Sequence, residues 1–405
     1  MISRLKGTDD ILPPDSRRWR ELLRAFDEIS ERFGYDPALM PALEATELFA
    51  RGVGEGTEVV EKQMYTFTDR GGRSVTLRPE FTAGIVRAFV GGGAQGSLKV
   101  AAAGPQFRYE QPQKGRRRQF FQVDVEYLGE AAPRADVEVI ELSYRLLEMV
   151  GVEGISIHLN SIGDAADRIS YRELLRRYLV ERHDDLSEDA RRRIDTNPLR
   201  VLDSKVDAQV VAEAPVPIDH LGEETAAHFA AVRNGLEAVG VPYEIAPRLV
   251  RGLDYYNRTV FEIFSSSFEA AQASLGGGGR YDPLAEMIGA PRTVPAVGVA
   301  LGCDRIVAAM PEESTARLDL FVAVAGDDAV AQRWVSDLRQ AGLRVDWSPG
   351  RSLRSQFKAG DRSGARGVAI VGDEWSEGEV TVKSLVGDDE RRIPIEEVGE
   401  WVSAL

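Results

Sequence analysis

Two alternating runs joined by a basic loop constrain the fold more than any other stretch of this chain. Residues 107–129 read FRYEQPQKGRRRQFFQVDVEYLG. Apolar residues alternate with polar ones on both sides of the loop, which is typical of paired β-strands. The second run has two different faces. The apolar face consists of Phe121, Val123, Val125 and Tyr127, and the other face, which carries hydrogen-bond acceptors, consists of Gln122, Asp124 and Glu126. The pattern predicts a hairpin; on a sheet open to solvent, the acceptor face would need no function.

The loop of this hairpin is strongly basic. With its base it has a net charge of +4 in a chain of net charge −15. Glu110 is its one acidic residue, against Arg108, Lys114, Arg116, Arg117 and Arg118. Arginine binds phosphate oxygens through two parallel hydrogen bonds. We therefore expect a phosphate-bearing ligand to lie over the hairpin.

The composition of the whole chain limits its partners and its compartment. With 405 residues, 43% of them hydrophobic, the chain is long enough for two or three domains. The net charge of −15 argues against non-specific binding to nucleic acid, although a local basic face could still be used. Cys303 is the single cysteine, the four histidines are scattered, and no apolar run has membrane-spanning length. We expect a cytoplasmic protein with no disulfide and no Cys/His zinc site.

The segments near the start of the chain predict mainly structural elements. Residues 13–34 have apolar side chains at helical spacing. Residues 35–47, with two prolines and an apolar face, are typical of an edge strand or an extended segment at a subunit boundary. The glycine-rich stretch 51–56 lacks the lysine and hydroxyl pair of a phosphate loop, so we expect a mobile loop there.

A second hairpin is predicted before the basic one. Residues 64–69 and 73–78 alternate apolar and polar side chains around two glycines. Glu80 and Thr82 follow it, at the start of a helical run that ends near residue 90. These two side chains either face the amine of a ligand or cap that helix, and their spacing is compatible with both.

Residues 251–263, RGLDYYNRTVFEI, place arginines, tyrosines and carboxylates on a segment that alternates like a strand. An ordinary core strand would not require this combination, and we expect one wall of a site for a small amino acid and a nucleotide. Residues 275–282, LGGGGRYD, allow the backbone to approach a ligand, with Arg280 and Tyr281 beside it, or form a flexible hairpin loop. Small residues in 297–310 fit a strand under a flat ligand such as adenine, with Arg305 early in the following helix.

The rest of the chain divides by composition. Residues 164–240 have helical periodicity and no cluster of catalytic groups, which predicts a helical insertion or subdomain. A polar stretch at 311–316 is typical of a linker, and strands alternate with helices in 317–405, predicting a separate α/β domain. Residues 344–366 have a net charge of +4, which is typical of a local RNA-binding patch.

These segments together resemble the histidyl-tRNA synthetase family of class II aminoacyl-tRNA synthetases, from GTDDILPPD near the start to the C-terminal domain. RGLDYYNRTVFEI is similar to the histidine-specific signature, the basic hairpin to motif 2, GVALGCDRI to motif 3, and the region of Pro41 to the motif 1 dimer element. GRSLRSQFKAGDRSGA resembles the anticodon-binding domain. The resemblance implies an α+β catalytic domain on an antiparallel sheet at 1–316, with the insertion at 164–240, and an anticodon-binding α/β domain at 317–405.

The resemblance also implies an activity and roles for particular residues. Histidine would react with ATP to give histidyl-adenylate and pyrophosphate, and the histidyl group would pass to tRNA(His), with Mg²⁺ bound to ATP. The catalytic residues would be Arg108 and Arg251, and the ATP-binding residues Arg108, Glu110, Arg116 and Arg305. Histidine would be bound by Glu80, Thr82, Gln122, Glu126, Tyr255, Tyr256 and Tyr281. The tRNA would contact Arg351, Arg354 and Lys358. A cytoplasmic homodimer with no membrane or DNA partner is implied, and no metal ligand is identified.

Some positions differ from the residues usual in that family. Phe81 stands where glycine is usual, Phe121 where histidine is common, and Asp124 where the family has a small residue. Cys303 and Asp304 replace leucine and glutamate. The alternative function is that of a non-catalytic relative, the regulatory subunit of ATP phosphoribosyltransferase. That relative typically lacks catalytic arginines and the anticodon domain, both of which this sequence retains by resemblance.

Overall fold

The structure is a computed structural model that describes residues 2–54, 57, 59–93, 96–110, 117–204, 206–251, 253, 255–268, 274–311 and 318–405. The chain separates into two compact units, Met1–Pro311 and Glu312–Leu405. No helix among these residues is both long and apolar enough to cross a membrane.

The first unit combines helices with a large sheet. Its α-helices are α1 (Asp15–Arg32), α2 (Thr46–Val53), α3 (Thr82–Gly91), α4 (Pro133–Met149), α5 (Ala165–Glu181), α6 (Glu188–Arg193), α7 (Ala208–Ala212), α8 (Glu223–Ala238), α9 (Leu284–Met287) and α10 (Cys303–Ala309). Its strands are β1 (Asp36–Pro37), β2 (Leu43–Ala45), β3 (Tyr65–Thr68), β4 (Ser74–Leu77), β5 (Leu98–Phe107), β6 (Gln119–Leu128), β7 (Ile155–Ser161), β8 (Glu244–Ile245), β9 (Asn257–Ser265), β10 (Ser274–Arg280) and β11 (Ala296–Gly302). A π-helical turn covers Val59–Gln63, and 3-10 turns cover His183–Asp185, Pro198–Asp203 and Pro217–His220.

The main sheet has the strand order β1-β5-β6-β11-β10-β9-β7-β8. Its inner strands, from β5 to β7, run antiparallel to one another, whereas β1 and β8 at the edges run parallel to their neighbours. The basic hairpin is confirmed as β5 and β6, paired from Leu98 opposite Leu128 to Phe107 opposite Gln119. The predicted antiparallel sheet of a class II catalytic domain is therefore confirmed.

The two faces of this sheet have different coverings. On one face, apolar side chains of β6, β7, β9 and β11 pack with α1, α4, α8 and α10 in the largest core. Helix α1 contributes Trp19, Leu22, Phe26 and Ile29 at helical spacing. On the other face, α3 and α9 pack over part of β5 and β9, and this cluster includes Tyr255, Tyr256 and Tyr281. Residues of the candidate site lie on this second face.

Several local predictions are corrected by the structure. Residues 51–53 are not loop: they end helix α2, and Gly54 follows with φ +104°. Residues 55 and 56 lie outside the described residues. Within the predicted helical insertion, residues 171–214 form a core of their own. Helix α8, at the end of the predicted insertion, buries Phe229, Val232 and Leu236 in the main core.

A small sheet in the order β2-β4-β3 stands beside the main one. It confirms the predicted second hairpin, with Tyr65 opposite Leu77 and Thr68 opposite Ser74. The Asp69 carboxylate accepts the backbone N–H of Gly71 at 2.8 Å and of Arg73 at 2.9 Å. The turn is therefore fixed by a side chain as well as by its glycines.

The second unit is an α/β domain. Its elements are β12 (Leu318–Val324), α11 (Asp328–Gln340), β13 (Val345–Trp347), α12 (Leu353–Ser363), β14 (Ala365–Val371), β15 (Glu379–Ser384), β16 (Glu390–Pro394) and α13 (Val398–Ala404), with 3-10 turns at Asp373–Glu377 and Ile395–Glu397. The strand order is β13-β12-β14-β15-β16. The first two pairs are parallel and the last two antiparallel, and the strands and helices together confirm the predicted α/β class of this domain.

Candidate active site

The acceptor face of β6 is buried, so an open, solvated sheet is the wrong interpretation of its pattern. Asp124 and Glu126 each expose 1% of their surface. Strand β11 supplies Ala300 opposite Asp124 and Gly298 opposite Glu126. A Cβ on Gly298 would lie 1.6 Å from Oε2 of Glu126. A glycine at position 298 is therefore needed for the Glu126 carboxyl to lie where it does.

Glu126 receives hydroxyl donors from two distant parts of the chain. The Tyr281 hydroxyl donates to Oε2 of Glu126, and the Thr82 hydroxyl is a second donor to this carboxyl. Burial raises the pKa of Glu126 to about 7, and the two hydroxyls oppose that rise. A carboxyl with this pKa can serve as a hydrogen-bond acceptor for a ligand N–H at neutral pH.

Glu80 and Thr82 lie at the start of α3, beside this carboxyl. The backbone N–H of Ala83 donates to the two oxygens of Glu80 at 3.1 and 3.3 Å. The capping alternative is therefore observed for Glu80, which is also buried in the site. Phe81 is buried in the same apolar cluster as the site tyrosines and packs under Arg78, whose guanidinium carbon is 4.3 Å from the ring centroid.

Three tyrosines, predicted to bind histidine, form a contiguous cluster. The ring centroid of Tyr255 lies 4.7 Å from that of Tyr256 and 5.8 Å from that of Tyr281. All three side chains are buried, and burial raises the pKa of each hydroxyl. The Tyr256 oxygen accepts hydrogen bonds from Tyr255 and Arg251, so its own O–H remains available as a donor to a ligand.

Arg251 lies over the glycines of β10. Its guanidinium carbon is 5.8 Å from the centroid of Tyr256, and Nη1 is 3.9 Å from Oε1 of Glu262. A Cβ on Gly277 would lie 2.8 Å from the same Nη1. Glu262 also accepts a hydrogen bond from the Ser274 hydroxyl, so β9 and β10 together position Arg251.

Arg108 lies at the end of β5 and near Arg251. Its Nε donates to the carbonyl of Pro79 at 3.0 Å, and its guanidinium carbon is 5.2 Å from the centroid of Phe120. Burial lowers the pKa of Arg108, and the charges of Glu110 and Glu80 oppose this effect. The structure brings Arg108, Glu110 and Arg251 to one region; Arg116 lies outside the described residues.

Arg305 lies on helix α10. Its Nη1 donates to the carbonyl of Ser274, the first residue of β10. The neighbouring Asp304 pairs with Arg117 and accepts the backbone N–H of Phe121 at 3.2 Å. Arg117 also contacts Asp9 at 2.9 Å. One arginine of the basic hairpin is therefore engaged by carboxylates within the chain.

Arg280 does not face the ligand with Tyr281, which corrects that interpretation of LGGGGRYD. Adjacent strand residues point to opposite faces, and Arg280 exposes 1% of its surface on the core side. Its Nη2 contacts Oδ2 of Asp136 at 2.5 Å, and Nη1 donates to the carbonyl of Glu130 at 2.9 Å. Arg280 is thus a structural residue that fixes α4 against the sheet.

For Glu262 the stretch RGLDYYNRTVFEI predicts a structural role, that of holding Arg251 in place, and the 3.9 Å contact between its Oε1 and Nη1 of Arg251 supports that role. The signal in the sequence is the alternation of β9, where Glu262 is the one acidic residue between buried Phe261 and Ile263. Its partner Ser274 comes from another strand. No local pattern could identify that pair.

The predicted RNA-binding residues lie on helix α12 of the second unit and just before it. Gln356 fixes α12 to β12, because its amide exchanges two 2.8 Å hydrogen bonds with the backbone of Val324. The opposite face of α12 carries Arg354 and Lys358, one turn apart and exposed, and exposed Arg351 precedes the helix. Anchoring α12 by Gln356 directs these three cations to solvent.

A family model described as Histidyl-tRNA synthetase matches residues 7–306. The chain belongs to the histidyl-tRNA synthetase family. A second model, described as Anticodon binding domain, matches residues 319–405. The family assignment made from the sequence motifs is therefore confirmed, and this aminoacyl-tRNA synthetase family includes both units of the chain.

Individual members of the family are similar to this chain over nearly its whole length. Histidine–tRNA ligase of Geobacillus kaustophilus (strain HTA426) is 44% identical, covering 98% of this chain and 97% of that protein. Histidine–tRNA ligase of Halorhodospira halophila (strain DSM 244 / SL1) is 43% identical, covering 100% and 98%. The crystal structure of apo S. aureus histidyl-tRNA synthetase has a TM-score of 0.80 at 33% identity, covering 99% of this chain and 100% of that one.

Proposed function

We propose that this histidyl-tRNA synthetase family member is a histidine–tRNA ligase that activates L-histidine with ATP and transfers the histidyl group to tRNA(His). The observation that carries this proposal is the buried carboxyl of Glu126, held by Tyr281 next to the tyrosine cluster and Arg251. A carboxyl and a phenol can satisfy both ring nitrogens of an imidazole. Arginines beside that pocket fit the phosphates of ATP.

Recognition of the imidazole falls to Glu126 and Tyr256. Ionised Glu126 accepts from one ring N–H, and the Tyr256 hydroxyl donates to the other nitrogen. Tyr281 and Tyr255 hold these groups in place, and Glu80, Thr82 and Gln122 lie toward the amino group. An amino acid that cannot pair with these buried polar groups would leave them unsatisfied, which is costly.

Adenylate formation requires two anions to meet, because the histidine carboxylate attacks the α-phosphate of ATP. Arg251 and Arg108 would hold the α-phosphate and the carboxylate, with Arg116 and Arg305 toward the leaving pyrophosphate. Fixed positive charge of this kind stabilises the charge that develops in the transition state. Mg²⁺ with ATP is typically held by phosphates and one or two carboxylates. Glu110, close to Arg108, is the carboxylate that fits this role.

The partners follow from the two units. We assign catalysis to residues 1–316 and anticodon binding to residues 317–405, with Arg351, Arg354 and Lys358 contacting tRNA backbone phosphates. A cytoplasmic homodimer formed through the region of Pro41 completes the proposal. The exposed Leu39 and Leu43 beside Pro41 support such an interface.

The proposal is tested by histidine-dependent exchange of labelled pyrophosphate into ATP. Purified protein with histidine, ATP and Mg²⁺ should exchange the label without tRNA, and each other amino acid should give only background. The regulatory-subunit alternative predicts no exchange with any amino acid. The match of an anticodon-binding domain at 319–405 already argues against that alternative.

A further inference from the structure

Asp124 is a buried carboxyl that the proposed function does not use. It exposes 1% of its surface and lies on the acceptor face of β6, between Gln122 and Glu126. Neither of its oxygens accepts a hydrogen bond from a described residue, and its one polar neighbour of this kind is Glu126, to which a protonated Asp124 can donate. A buried, unsatisfied carboxyl is expensive, so a cationic or N–H-bearing partner is expected when the site is occupied.

The surroundings of Asp124 are acidic rather than basic. The charges of Glu126, on the same strand, and of Glu80, at the start of α3, act on it, and Tyr281 after β10 lies near it. Burial is the largest cause that raises the pKa of Asp124 well above its usual value, and the negative charge of Glu126 is the second largest. Three carboxyls thus converge on one pocket. No group of three or more His, Cys, Asp or Glu side chains with metal-binding geometry was found in the described part of the chain.

The donors in this pocket are already committed to other carboxyls. The Thr82 hydroxyl is directed to Glu80 and Glu126, and the Tyr281 hydroxyl to Glu126. The buried Oε1 of Gln122 also lacks a donor among the described residues. Gln122 and Asp124 are two residues apart on one face, roughly 7 Å along the strand. One ligand atom between them could reach both side chains.

We propose that Asp124 binds the α-ammonium group of the amino acid substrate, together with Glu80 and the Oε1 of Gln122. An ammonium group has three N–H donors and no acceptor, and these side chains present three acceptors. Its charge also relieves the repulsion between Asp124, Glu80 and Glu126. Thr82 becomes a positioning residue that holds the carboxyls. This inference rests on the proposed function, because it assumes that histidine occupies the pocket.

Three ligands separate the ammonium contact from the ring contact. L-histidine has both groups and a carboxylate, histamine has the ring and the ammonium, and imidazolepropionate has the ring and the carboxylate only. Their dissociation constants are measured by calorimetry with the full-length wild-type protein and with Asp124→Asn, which keeps the shape and removes the charge. Glu126→Gln is the matched control, because it alters the ring contact and should weaken all three ligands.

Asp124→Asn should weaken histidine and histamine by a common factor of about tenfold or more, the usual effect of losing a hydrogen bond to a charged group. Imidazolepropionate should change less than twofold. The melting temperature of the ligand-free variant should not fall, because the substitution removes a buried acid whose ionisation burial disfavours; a fall would indicate a structural role and contradict the inference.

Equal weakening of all three ligands, or of none, would overturn the assignment of Asp124. If wild-type protein binds none of the three ligands, the proposed function is wrong, and the assignment of Asp124 to the ammonium group, which depends on it, is wrong as well. The two failures are therefore distinguished by the wild-type measurement alone.

Discussion

At the scale of single residues, the site depends on carboxyls whose charges are unfavourable in the free protein. Glu126 and Asp124 are both buried, and burial raises the pKa of each. A ligand with an ammonium group and ring N–H donors would satisfy what the protein leaves unsatisfied. Buried carboxyls with raised pKa values are expected at a functional site and not in an ordinary apolar core.

Glu126 makes this cost measurable through pH. Its pKa rises from 4.5 to about 7 on folding, so the folded protein keeps a proton that the unfolded chain loses. Stability of the wild type should therefore decrease as pH rises from about 4.5 to about 7, by on the order of 3 kcal/mol. Glu126→Gln has no such ionisation. Denaturant unfolding at pH 5 and pH 8 should show a stability difference, variant minus wild type, that grows with pH; a constant or shrinking difference would refute the assignment.

At the scale of elements, the glycines of β10 and β11 decide where site residues can lie. Gly277 leaves room for Arg251, and Gly298 leaves room for Glu126. Both strands pair on two sides within the sheet, so their backbones cannot move away to accept a side chain. These glycines allow site side chains to approach the backbone closely. The alternative, in which 275–282 form a flexible hairpin loop, is therefore wrong.

Gly277→Ala should lower pyrophosphate exchange, on the order of tenfold per folded molecule, by displacing Arg251. Arg251→Ala sets the lower limit, about a hundredfold below wild type, because it removes the donor that we propose for the transition state. Gly276→Ala is the control: its Cβ would meet the backbone of Ala300 at 2.2 Å but no site arginine. Both glycine variants should lower the melting temperature. Equal exchange rates in them would show that Gly277 acts only on stability.

At the scale of the whole molecule, activation and tRNA recognition are chemically separate tasks. Histidine and ATP contacts are proposed within the first unit, and the exposed cations of α12 belong to the second. The chain has a net charge of −15, so general attraction cannot bring tRNA to it. A local basic face must supply the electrostatic contribution.

Replacing Arg354 and Lys358 with alanine should weaken tRNA binding and flatten its salt dependence. Two lost phosphate contacts should reduce the slope of log K against log salt by roughly 1.4 to 1.8, as measured by filter binding over a salt series. Pyrophosphate exchange without tRNA should be unchanged. The variant Arg333→Ala/Arg391→Ala removes equal charge from other elements of this unit, α11 and β16. An equal loss in that control would mean that α12 has no special role.

The sequence by itself determined the main hairpins, the class of each unit and the family to which the chain belongs. Alternation in 107–129 was enough for the β5–β6 hairpin and for its two faces, because strand period is a local property. The motifs were enough for the histidyl-tRNA synthetase family. Element ends were less well predicted, and strand β16 and the short 3-10 turns were missed, since weak local preferences are overridden by packing.

Only the tertiary structure decided what each face meets. The acceptors of β6 are buried because β11, more than 150 residues later, pairs beside them, and Gly298 comes to lie opposite Glu126. Arg280 and Tyr281 point to opposite sides, toward Asp136 and Glu126, respectively. A local pattern gives the period of an element and not its neighbours. Burial, ion pairing and the pKa of a site residue are set by neighbours that long-range strand pairing supplies.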